Sequence, residues 1–122
     1  MNLSTGVDLI EIERVHRAVD RYGDRFLEKI FTSREREQSR ENPPDLAIRF
    51  AAKEAASKAL GTGIGVVRWR DLEVISLPSG QPTLHLHGEA RKLADQLGYQ
   101  TWSVSLSHSR EMAVAVVVGL GE

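Results

Sequence analysis

Apolar and polar positions change period several times along the 122-residue chain, and each change marks an element. From Leu3 to Ile10 the run is short and partly β-branched, which predicts a first strand, with Gly6 easing close approach of another backbone. From about Glu11 to Tyr22 the period turns helical, with Val15, Val19 and Tyr22 on one side. Gly23 ends that helix, and Asp24 is the expected cap of a further turn through Phe26 and Ile30. Thr32 or Ser33 precedes the helix formers Arg34-Glu35-Arg36 and predicts another short helix. Asn42-Pro43-Pro44-Asp45 is the clearest punctuation, and Asp45 is the expected N-cap of a long helix to Leu60. Beyond a glycine loop, Leu72 to Leu77 and Thr83 to His87 predict paired strands across Pro78-Ser79-Gly80-Gln81-Pro82. Glu89 to Leu97 predicts a helix closed by Gly98. Thr101 to Ser107 alternates strictly, with Ser103, Ser105 and Ser107 opposite Trp102, Val104 and Leu106. Met112 to Val118 is the most strand-like run of all. The pattern predicts an α+β fold with its helices mostly in the first half, as one domain over residues 1–122 without repeats or linkers.

Composition adds boundaries rather than a function. A hydrophobic content of 41% and a charged content of 27% are those of an ordinary globular protein. A net charge of -1 gives no global pull toward nucleic acid or an anionic membrane, so neither is expected as a partner. The absence of cysteine excludes disulfides and thiolate metal sites, which fits a reducing cytoplasm. The N-terminal residues lack the pattern of a signal peptide, and no apolar stretch approaches the roughly 20 residues that span a bilayer.

Chemistry concentrates in the segment from Arg49 to Gly65, a small-residue helix running into Gly61-Thr62-Gly63-Ile64-Gly65. Glu54 and Lys58 lie one turn apart on one side of that helix. Asp8 stands among apolar residues in the first strand. One acid on a strand and one on a helix would supply the incomplete carboxylate shell that Mg2+ prefers when it holds a diphosphate. The structural alternative is that Glu54 simply pairs with Lys58, a contact worth about 0.2–0.5 kcal/mol. Lys58 is also a candidate for a phosphate-neutralising charge. The glycine loop follows its helix and so offers no helix N-terminus to a phosphate; a C-cap and turn is the expected role. His108, at the end of an alternating strand, reads as a hydrogen-bonded structural residue, and His85 and His87 as a polar outer surface. Arg14, Arg17 and Arg21 form a basic stripe on the first helix, which Arg25 and Lys29 extend only if the helix survives Gly23. Segment 14–29 has five Lys/Arg against Asp20, Asp24 and Glu28, which suits either a solvated face or docking of an acidic partner.

Taken together, Gly6-Val7-Asp8-Leu9-Ile10-Glu11-Ile12-Glu13-Arg14-Val15, Arg49-Phe50-Ala51-Ala52-Lys53-Glu54-Ala55, Lys58-Ala59-Leu60-Gly61-Thr62-Gly63-Ile64-Gly65 and Ser105-Leu106-Ser107-His108 resemble the holo-acyl-carrier-protein synthases, the small class of phosphopantetheinyl transferases. The resemblance covers nearly the whole chain. It implies an antiparallel sheet packed against a long helix, and Mg2+-dependent transfer of 4'-phosphopantetheine from coenzyme A to a serine of apo acyl carrier protein, within fatty acid biosynthesis. By the same resemblance Asp8 and Glu54 match metal-binding acids, and Glu54 and Lys58 are the catalytic candidates. Lys58, Arg49, Gly61 and His108 match positions near coenzyme A, and Arg14, Arg17 and Arg21 match the helix that receives the carrier. The serine proton would pass to Glu54 or to a metal-bound water, and the sequence leaves both open. A homotrimer with sites between subunits is also implied. One departure stands out: Gly80-Gln81-Pro82 replaces the usual Gly-Lys-Pro. Two other classes share some of these residues. A Mg2+-dependent diphosphate hydrolase would use the same acids and lysine without the basic helix, and a non-catalytic trimeric scaffold would need Arg14 but not the acids.

Overall fold

The computed structural model describes Met1–Glu122 throughout. β1 (Asn2–Glu11) leads into α1 (Ile12–Tyr22), α2 (Asp24–Ile30), α3 (Ser33–Ser39) and the long α4 (Pro43–Ala59). A 3-10 turn (Trp69–Asp71), the hairpin β2 (Leu72–Ser76) and β3 (Pro82–Leu86), α5 (Gly88–Leu97), β4 (Thr101–His108) and β5 (Met112–Gly121) complete the chain. β1, β5 and β4 form an antiparallel sheet in that order, and β2 and β3 a separate antiparallel pair. This is the expected α+β architecture, with only α5 lying in the second half.

Small residues explain how α4 sits on the sheet. Ala51, Ala55 and Ala59 on α4 and Ala113 and Ala115 on β5 are buried, so helix and sheet can approach closely. Gly6 on β1 carries this furthest: a Cβ there would lie 1.9 Å from the carbonyl oxygen of Ala55, a distance no side chain survives. Gly119, paired with Trp102 across β4–β5, leaves room for the indole in the same way. Because alternate residues of a strand face opposite ways, the register puts Gly6, Asp8 and Ile10 on the α4 side and Leu3, Val7 and Leu9 on the other. That outer face is apolar and uncovered, with Leu9 61% and Leu3 64% exposed beside Val116 and Leu120 of β5. The three serines of β4 sit on it as well, as the alternation predicts.

Two of three helix caps differ in detail from the expectation, and the third selects Thr32 over Ser33. Gly23, not Asp24, precedes α2, and its left-handed backbone lets the chain turn between two helices. Thr32 caps α3 in a reciprocal box with Glu35. Asn42, not Asp45, caps α4: its side chain accepts the backbone N–H of Asp45, while Pro43 and Pro44 fill the first helical positions, where a missing N–H costs nothing. Asp45 instead accepts from Arg49 Nε at 2.7 Å, one turn on.

Candidate functional site

α4 carries two sets of polar residues, and the structure separates them. Toward β1 stand Glu54 and Lys58. Lys58 does not pair with Glu54; its Nζ donates to the Val7 carbonyl at 2.9 Å and to Asp8 Oδ1 at 3.2 Å. Helical spacing made the Glu54–Lys58 contact available, but the long lysine side chain reaches a carboxylate and a carbonyl on the adjacent strand instead. Burial pushes the Glu54 carboxyl above its ordinary range, and the negative charge of Asp8 pushes it further, against the pull of Lys58 and Arg14. Two acids and a lysine therefore converge at one end of the α4–β1 seam, with Arg14 of α1 beside them. Gly61, just beyond the end of α4, is exposed in the left-handed conformation. The backbone amides of Thr62 and Gly63 both return to the Ser57 carbonyl, so the glycine segment closes the helix as expected.

No metal is needed to hold this arrangement, but the donor set fits magnesium. Asp8 and Glu54 are two carboxylates close enough for one to raise the pKa of the other, and a cation between them would relieve that repulsion. No third acid or histidine joins them, which leaves coordination positions for water and phosphate oxygens, the shell that Mg2+ favours.

Arg49 faces elsewhere. Five residues before Glu54, it is rotated from it by about 140° around α4. Its guanidinium is buried and donates to the Val74 carbonyl, to Gln38 Oε1 and to Ser76 Oγ as well as to Asp45. It nonetheless borders a shallow pocket with Ile48, Ser76, Leu106 and His108. His108 is exposed at the end of β4, and its Nδ1 lies 3.0 Å from the Ser109 carbonyl. Arg49 and His108 thus share one pocket, while Asp8, Glu54 and Lys58 share another place. Gln81 is exposed in the β2–β3 turn. Arg14, Arg17 and Arg21 are exposed along α1, and Arg25 and Lys29 belong to α2, so the stripe is broken at Gly23.

Sequence reasoning missed a buried polar network. Lys53, fully buried beside Glu54, donates to Glu35 Oε1 at 2.7 Å and to the Leu72 and Trp69 carbonyls. Burial holds the Lys53 ammonium below its ordinary pKa despite the charge of Glu35. Glu35 Oε2 accepts the Val74 N–H at 2.9 Å, and Thr32 Oγ1 donates to Glu73 at 2.6 Å. Burial opposes ionisation of Glu73, but hydrogen bonds with Thr32 and His87 and the charges of His87 and Arg34 outweigh it and hold its pKa low. His87 therefore does more than polar surface duty, reaching Glu73 at 3.1 Å. The network ties α4 and α3 to the β2–β3 hairpin. The signal was present in Ala51-Ala52-Lys53-Glu54-Ala55-Ala56, where a lysine stands among alanines that are too short to shield it from burial.

Comparison with known proteins places the chain as a whole in a family. The profile of the 4'-phosphopantetheinyl transferase superfamily matches residues 4–117. A holo-[acyl-carrier-protein] synthase of Herpetosiphon aurantiacus is 50% identical over 126 residues, spanning 98% of this chain and 99% of its own. That of Koribacter versatilis is 46% identical, covering 97% and 98%. The crystal structure of Helicobacter pylori holo-[acyl-carrier-protein] synthase in complex with coenzyme A superposes with a TM-score of 0.88 at 32% identity, over 95% of this chain and 99% of that one. With near-complete coverage in sequence and in structure, the chain belongs to the holo-[acyl-carrier-protein] synthase family of the 4'-phosphopantetheinyl transferase superfamily.

Proposed function

We propose that this protein transfers the 4'-phosphopantetheine group of coenzyme A to a serine of an apo acyl carrier protein, releasing adenosine 3',5'-bisphosphate, with Mg2+ held by Asp8 and Glu54. The observation that carries the reading is the meeting of Asp8, Glu54 and Lys58 at the α4–β1 seam, with the raised pKa of Glu54. When bound, magnesium would offset the charge of the diphosphate and of the departing nucleotide. Lys58, exposed and tethered only to Asp8 and a carbonyl, is free to turn to a diphosphate oxygen and stabilise charge there as the phosphorus–oxygen bond breaks. Glu54 would take the serine proton through a carboxylate oxygen that faces the substrate side of the site. The serine oxygen then bonds to phosphorus, and the bond from phosphorus to the nucleotide oxygen breaks. Arg49, Gly61 and His108 would contact coenzyme A, and the exposed arginines of α1 would receive the acidic carrier.

The test is intact mass of an apo acyl carrier protein incubated with this protein, coenzyme A and magnesium, with and without chelator. A gain of one phosphopantetheine that the chelator abolishes is expected. Cleavage of coenzyme A without modification of the carrier would overturn the transferase reading in favour of a hydrolase.

Two observations support an assembly of several copies. Arg49 and His108 lie on a different side of α4 from Glu54, so one copy does not gather Asp8, Arg49, Glu54, Lys58, Gly61 and His108 around one place. The outer sheet face exposes Leu3, Val7, Leu9, Val116 and Leu120 together, and contiguous apolar surface of this kind marks an interface. We infer a homotrimer that covers this face and completes each site with residues of a neighbouring copy. Sedimentation should give three times 13.6 kDa. Val116→Asp, at the centre of the face, should give monomers of low activity, and a fully active monomer on dilution would refute the shared site.

A further inference from the structure

Three cations meet at a place that the reading above leaves unused. Lys29 near the end of α2 and Arg68 and Arg70, which flank Trp69 in the 3-10 turn, are all exposed. They border one shallow basin with Thr32, Asp71 and His87. None of the three forms an ion pair, although eleven pairs occur elsewhere. The neighbouring acids are already engaged: Asp71 accepts the backbone N–H of Arg68, and Glu73 is held by Thr32 and His87. Three cations against the single carboxylate of Asp71 leave the basin with an excess of positive charge in a protein whose net charge is only -1.

The basin is joined to the reacting end of α4 by aromatic rings. Trp69 lies 4.7 Å from Phe50, ring to ring, and Phe50 stacks on Phe26 at 6.3 Å. Phe50 precedes Glu54 by one helical turn and shares its side of α4. All three rings are half-buried, so each shows part of its surface to a partner. Arg25 and Lys29 of α2 lie beside its Phe26 end, and Arg68 and Arg70 lie beside its Trp69 end. An aromatic centre with a charged rim is the anatomy of a protein-docking surface.

We propose that Arg68 and Arg70, with Lys29, form a second bank of docking cations that receives carboxylates of the carrier protein, apart from the α1 stripe, and so helps decide which carriers are accepted. The proposal rests on the transferase reading for the identity of the partner. Spaced, flexible cations around an aromatic platform suit separated carboxylates on a protein surface, and rim charges of this kind act on encounter and discrimination.

The decisive variant is Arg68→Glu/Arg70→Glu in the full chain, assayed for its KM toward apo carrier and toward coenzyme A at several salt concentrations. The expected result is a roughly tenfold fall in kcat/KM for the carrier, carried by KM, with KM for coenzyme A unmoved and a flatter salt dependence. Anisotropy of labelled apo carrier, without coenzyme A, should show a parallel loss of affinity. Lys92→Glu, outside the basin, should change neither. If KM for coenzyme A rises while that for carrier stays, the basin serves a nucleotide phosphate and the proposal is overturned; it is equally overturned if neither moves. Arg68→Gln/Arg70→Gln, expected to lose about threefold, decides the matter if the double reversal does not fold. Should the wild-type protein transfer nothing, the transferase reading fails on its own, and the anisotropy comparison still decides whether these arginines hold an acidic carrier.

Discussion

Glu54→Gln should lower phosphopantetheine transfer by about 10²- to 10⁴-fold, the usual contribution of a positioned general base. The amide keeps the shape of the side chain but neither accepts the serine proton nor offers a full charge to magnesium. Activity close to wild type at saturating magnesium would remove Glu54 from both roles. The raised pKa adds a signature that a folding defect cannot imitate. In the metal-free protein, native Glu54 holds its proton to higher pH than it does in the unfolded chain. Its favourable contribution to stability is therefore present below the unfolded pKa and lost as pH rises through the native one. At neutral pH the ionised group weighs against the fold, so Glu54→Gln should melt no lower than wild type in chelator, and somewhat higher, while turnover collapses. Because Mg2+ beside Asp8 and Glu54 would favour the ionised carboxylates, the acid limb of the wild-type pH–rate profile should move to lower pH as magnesium is raised.

Glu35→Gln should lower stability by about 3–5 kcal/mol, because it leaves the buried Lys53 charge without its partner. That is a large share of the 5–15 kcal/mol that holds a typical domain together. Urea unfolding at fixed protein concentration measures it, and a loss below about 1 kcal/mol would show that the Leu72 and Trp69 carbonyls suffice to solvate the ammonium. The sign of the pH dependence is set by Lys53, whose native pKa is depressed by burial. A base with a depressed native pKa stabilises the fold at high pH and loses that contribution as pH falls and the unfolded chain takes up the proton. Removing Glu35 deepens the depression, so the deficit of Glu35→Gln should shrink as pH rises toward the ordinary lysine range. Replacing both partners, in Glu35→Leu/Lys53→Met, should recover much of the loss, since two apolar side chains need no solvation.

These two residues also show where sequence reasoning stops. The approach of Glu54 to Asp8 could be anticipated, because a carboxylate on a small-residue helix and another in an apolar strand make chemical sense together before any fold is known. The burial of Glu35 could not: within Ser33-Arg34-Glu35-Arg36, Glu35 reads as a solvated helix former, and nothing local says that it will be buried against a lysine 18 positions away. The Glu54–Lys58 pair failed for the same reason. Spacing along one helix lists the contacts that are possible, and the strand packed alongside chooses among them, here giving Lys58 to Asp8. Caps fared better, since a cap is a matter of a few neighbouring residues, and the errors at Asp24 and Asp45 were slips of one and three positions.

By itself the sequence determined the order and kind of the elements, the alternation that makes one face of β4 polar, and the small residues that let α4 lie on the sheet. Each of these depends on residues close together in the chain, through periodicity, backbone freedom and capping. Only the tertiary structure decided that Lys53 and Glu35 share one buried bond, that Arg49 turns away from Glu54 toward β2, and that Arg68, Arg70 and Lys29 gather beside an aromatic strip. Such contacts join distant segments whose approach is set by the packing of the whole core, and no local pattern encodes that distance.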